Sequence, residues 1–89
     1  MHKLSKTTHN KAQRNGLQLT GYRVTDTLLG VSYETVEIAP IGACEFIAAY
    51  RVNEDGSYTF DASCGHRGNS PSHLRSEQHL RDWLPGWRV

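Results

Sequence analysis

The chain has 89 residues, enough for one domain around one small core. Apolar residues make up 37% of it, below the usual share, so burial leaves little stability to spare. No apolar run approaches membrane-spanning length, and no apolar segment follows the early lysines as it would in a secretory signal, so the expectation is a cytoplasmic protein with no membrane partner.

The formal net charge of +1 hides an uneven distribution. Residues 1–16 hold Lys3, Lys6, Lys11 and Arg14 and no acid. Residues 17–65 hold two arginines and seven acids, and residues 66–89 hold four arginines against Glu77 and Asp82. The chain has a basic head, an acidic body and a mildly basic end. In the head, Leu4 is the one large aliphatic side chain, too little apolar surface to offset the cost of ordering. Residues 1–16 are therefore expected as a flexible basic arm, and residues 17–89 as a single α+β domain.

Leu17 to Thr27 alternates loosely, with Leu17 and Leu19 in one phase and Tyr22 and Val24 in the other. This is a first strand, and the slip at Gly21 predicts a bulge or a bend. Leu28-Leu29-Gly30 is a turn. Val31 to Ala39 is rich in β-branched and aromatic residues and reads as a second strand, ended by Pro40-Ile41-Gly42.

A hairpin follows over Ala43–Ser63. If Glu54-Asp55-Gly56 is a three-residue loop with Gly56 in the left-handed region, Asn53 faces Ser57, Val52 meets Tyr58, Tyr50 meets Phe60, Ala48 meets Ala62 and Phe46 meets Cys64. Every pair then has one character, which a two-residue loop does not achieve. This register puts Cys44, Phe46, Ala48, Tyr50 and Val52 on an inner face. Glu45, Ile47, Ala49, Arg51 and Asp61 fall on an outer one. Cys44 and Cys64 sit diagonally and read as buried reduced thiols.

Cys64 to Leu74 has the glycines, asparagine, proline and serines of a loop. Ser76 then caps a short helix with Glu77 in its first turn, and Leu80, Trp83 and Leu84 form one apolar stripe before Pro85-Gly86 stops it. That stripe is the natural cover for the aromatic face of the hairpin. The fold class expected is α+β, a small antiparallel meander of about four strands with a C-terminal helix packed on one face.

Several groupings carry residue types suited to chemistry. Cys64, His66, His73 and His79 are four zinc-competent side chains within sixteen residues, but their spacing matches no zinc-finger pattern and no C-x-x-C pair exists. Cys64 beside His66 has no orienting acid, and no arginine stands where a phosphatase loop needs one. Gly65-His-Arg-Gly-Asn-Ser70 has glycines that could cradle an anion, yet it lacks a P-loop pattern. No cofactor or metal is assigned, and the chain is expected not to be an enzyme.

Binding is what remains. An acidic sheet with a tryptophan-bearing terminus suits docking on a basic protein surface, with Trp83, Trp87, Arg67, Arg81, Glu54 and Asp55 as contact candidates. The alternative is a nucleic-acid-binding protein that uses Lys3, Lys6, Lys11 and Arg14 of the arm with Arg67, Arg75 and Arg88.

The segments N-E-D-G-S-Y and L-P-G-W-R-V resemble motifs of the MbtH-like proteins, but here a loop and a helix separate them, which excludes that family. The general build, a small sheet with an acidic surface, a short helix and no motif, is similar to phage or mobile-element accessory proteins such as anti-CRISPRs. That likeness rests on no diagnostic residue. It implies a stoichiometric inhibitor of a protein or nucleoprotein.

Overall fold

A computed structural model describes residues 3–43, 45–61, 68 and 70–85. It is an α+β protein whose described residues form a five-stranded, wholly antiparallel meander and two helices. The chain runs α1 (Lys6–Arg14), β1 (Leu17–Asp26), β2 (Val31–Pro40), β3 (Ala48–Val52), β4 (Tyr58–Phe60), β5 (His73–Leu74) and α2 (Glu77–Trp83). Strand order in the sheet follows chain order.

The hairpin has the register argued from sequence. Val52 pairs with Tyr58 and Tyr50 with Phe60, and Gly56 takes φ 87°, the left-handed value that closes a three-residue loop. The Asn53 N–H donates to the Ser57 carbonyl at 2.8 Å, where the loop closes. Ala62, Ser63, Cys44 and Cys64, which completed the expected pairing and the thiol reading, lie outside the described residues. Phe46 is a correction. The β3 ladder begins only at Ala48, so the two-residue alternation does not extend back to Phe46, which is 39% exposed on the opposite side of the sheet.

Four strands become five because His73–Leu74, read as loop, pair with Thr59 and Tyr58. Leu74 is fully buried there. At Gly21 the expected bulge is absent: β1 pairs with β2 without interruption from Leu17 to Asp26. The phase slip has another cause. Leu17 and Leu19 point to one face of the sheet, Tyr22 and Val24 to the other, so the apolar residues change sides while the backbone continues regularly.

The first face is the core. Leu17, Val36, Ile38, Tyr50, Tyr58 and Leu74 are buried beneath Ala12 of α1, Leu80 of α2 and Leu84, which caps α2 at its C-terminal end. Tyr50 anchors it. Its ring meets Phe60 edge-on at 5.7 Å and Trp83 at 5.6 Å, and its hydroxyl donates to the Pro71 carbonyl at 2.8 Å. Apolar area plus a satisfied polar tip is what a buried tyrosine requires.

The flexible arm is the second correction. Lys6–Arg14 form α1, capped by Ser5, whose Oγ accepts from the Thr8 N–H, with Lys11 and Arg14 in the last turn where cations favour the helix dipole. Its docking is polar rather than apolar, which is why hydrophobic pattern missed it. Glu77 at the start of α2 accepts from the Ser5 hydroxyl at 2.6 Å, the Thr8 hydroxyl at 2.8 Å and Arg81 at 3.1 Å. Further along, the Lys11 ammonium donates to the Arg81 carbonyl and the Asn15 amide to the Leu84 carbonyl. Contacts advance in the same direction along both helices, so α1 and α2 lie parallel. Burial raises the Glu77 carboxyl pKa, but the hydrogen bonds from Ser5 and Thr8 and the charge of Arg81 outweigh it and hold it below its ordinary value.

Candidate docking face

No helix covers the second face of the sheet among the described residues. Strand alternation brings Tyr22 and Val24 of β1, Tyr33, Thr35 and Glu37 of β2, and Ala49 and Arg51 of β3 onto it. Phe46 and Asp61 complete an open groove of about 450 Å3. Its rim is aromatic: Tyr22 is 48% exposed and Phe46 nearly as much. Its floor is dry, for Ala49 and Thr35 are buried.

Two polar groups in the groove lack a partner among the described residues. The Thr35 hydroxyl, in a residue only 5% exposed, has no hydrogen-bond partner among the described residues. A buried unpaired hydroxyl costs about 1–3 kcal/mol. Glu37 makes no ion pair among the described residues, and desolvation pushes its pKa above the ordinary value. The neighbouring cations are engaged elsewhere. The Arg51 guanidinium lies over the Tyr33 ring, 3.8 Å from its centroid, and Arg23 reaches Glu34 at 3.5 Å. Asp61 is buried at the groove edge, its N–H donating to the Ala49 carbonyl. The groove is therefore aromatic at its rim and acidic within.

The residues singled out from sequence are dispersed. Trp83 packs on Tyr50, and Arg81 joins Thr8 and Glu77, so both serve the core side. Glu54 and Asp55 stand exposed at the β3–β4 turn, where Asp55 accepts from the Ser57 N–H and hydroxyl. The Ser57 hydroxyl bond, then its backbone bond, lowers the Asp55 pKa. Among the described residues, Arg81 and Trp83 share no hydrogen bond or ion pair with the two turn acids. Trp87, Arg67 and Arg88 lie outside the described residues. Of the basic residues in the arm, Lys3, Lys6 and Arg14 are exposed and Lys11 is tied to α2; Arg75 is exposed just before α2.

His79 accepts the Arg75 N–H at its Nδ1, 3.0 Å away, and His73 sits on β5; Cys64 and His66 lie outside the described residues. No group of three metal-competent side chains occurs among the described residues. No helix among them is long and apolar enough to cross a membrane.

Sequence reasoning missed the groove because it put Phe46 on the inner face and read the phase change between Leu19 and Tyr22 as a bulge or a bend. The available signal was the phase change at Gly21, which marks a strand apolar on both faces as well as it marks a bulge. The fold defines the class, a small antiparallel α+β meander. Comparison with protein-family models, with curated proteins and with solved structures finds no match.

Proposed function

We propose that this chain is a non-enzymatic interaction module that docks stoichiometrically, through the open sheet face, on a basic surface of a protein partner. The observation that carries this reading is Glu37, a half-buried carboxylate without an ion-pair partner among the described residues, which lines the groove together with the exposed rings of Tyr22 and Phe46 and with the buried Thr35 hydroxyl, itself without a hydrogen-bond partner among the described residues. A lysine or arginine from the partner would meet Glu37, and apolar stems would cover Tyr22 and Phe46. Glu54 and Asp55 extend the acidic character at the turn. Trp83 and Arg81 act indirectly, by fixing the helices behind the sheet. Inhibition of a cytoplasmic partner, as the likeness to phage accessory proteins implies, is the form this docking would take.

The test is capture of cytoplasmic proteins on immobilised wild type, Glu37→Gln and Phe46→Ala, with each captured protein then titrated in purified form. Support is a basic partner bound at one-to-one stoichiometry whose affinity falls at least tenfold in both variants. A partner held equally well by wild type and both variants sinks the reading.

A further inference from the structure

We infer that the exposed side of α1 is a second docking surface, independent of the sheet face, and that it fits the major groove of B-form DNA. Burial of Thr8 and Ala12 against α2 and the sheet turns the opposite side of the helix outward. That side carries Lys6, Thr7, Asn10, Gln13 and Arg14, spaced so that all five share one face. All are exposed and none is acidic. Thr7, Asn10, Gln13 and Arg14 line an open depression of about 550 Å3.

Charge complementarity decides the occupant. The acids lie elsewhere: residues 1–16 contain none, and Glu77, whose carboxylate meets the start of α1, is consumed by Ser5, Thr8 and Arg81. Lys11 is committed to α2, which leaves Lys3 and Lys6 at one end of the face and Arg14 at the other. A helix with its side chains is about 10–12 Å across, which the B-DNA major groove, about 12 Å wide, admits, and along the helix axis Lys6 and Arg14 stand about 12 Å apart. Cations at both ends would meet phosphates, while Asn10, Gln13 and Thr7 lie between them. Amide and hydroxyl side chains of this kind pair with base edges there. Duplex RNA is excluded as the occupant because its major groove is too narrow for side chains to read.

Fluorescence anisotropy with a labelled duplex DNA of about 20 base pairs tests this, beside duplex RNA of the same sequence. Three phosphate contacts predict a salt slope of about −2.7, or a roughly 40-fold loss of affinity between 50 and 200 mM salt. The Lys6→Gln/Arg14→Gln double variant, with its fold checked by circular dichroism, should bind DNA at least tenfold more weakly. It should keep any partner captured by the sheet face, so the two proposals fail separately. Absence of DNA binding at 50 mM salt, equal or tighter binding of duplex RNA, or an unaffected double variant would overturn the inference.

Discussion

The two faces of one sheet are built from the same strands and from similar residues, yet they are finished differently. On the helix side, Tyr50 and Tyr58 are fully buried, and the Tyr50 hydroxyl has its acceptor. On the open side, Tyr22 is half-exposed, Tyr33 carries an arginine on its ring, and Thr35 and Glu37 wait without partners among the described residues. A face that exists only to fold satisfies its polar groups; a face that leaves them unsatisfied carries a cost that a bound partner would remove.

The widest gap between the faces should appear on truncating aromatics. Tyr50→Ala should cost about 3–5 kcal/mol in urea unfolding, while Phe46→Ala should cost under about 1 kcal/mol. Equal losses would mean that the open side is as structural as the helix side. Next is the polar joint between the helices. Glu77→Gln should destabilise by about 2 kcal/mol at pH 7 through loss of charge-assisted hydrogen bonds. Because the Glu77 pKa is depressed in the folded state, its contribution is present above the ordinary value of 4.5 and is lost as pH falls through the folded pKa. Glu77→Gln should therefore flatten the acid limb of the stability profile.

Tyr58 gives the alkaline counterpart. Burial, then the charge of Glu77, raises its pKa to about 12 from 10.0. The unfolded chain then ionises first, so stability is full below pH 10 and declines as pH rises toward 12. Tyrosine absorbance followed against pH should show a tyrosine that titrates later in the folded protein than in the unfolded chain and that is missing from Tyr58→Phe, and Tyr58→Phe should remove part of the alkaline decline. The smallest effect has the opposite sign. Thr35→Val replaces an unpaired buried hydroxyl with a methyl group of similar volume and should raise stability by up to about 1 kcal/mol. A loss there instead would show that the hydroxyl is satisfied and that the groove is less unfinished than described.

The parts legible in the sequence were those whose cause is local. Gly56 and the pairing of like with like set the hairpin register, and Ser76, Glu77 and the Leu80–Trp83–Leu84 stripe set α2. Helix α1 was illegible because its anchors are Thr8 and Asn15, polar residues whose partners lie about 70 positions away. Ser5 as a cap and the basic last turn were its only local signs. Strand β5 was hidden by its two-residue length among turn-forming neighbours. The groove was half visible: its aromatics stood out, but alternation cannot say which of two faces will find a cover.

The clasp between Ser5 and Glu77 joins positions 72 residues apart. During synthesis α1 leaves the ribosome before α2, but its polar anchor does not exist until Glu77 has been made. The helix is too short to hold together in isolation. Helix α1 is thus made before α2 but must await it before it can lock into place. A stalled or truncated chain lacking α2 should leave Ser5, Thr8 and Lys11 unclasped, a state that proteases at the exit tunnel could tell from the finished fold by cutting within residues 6–14.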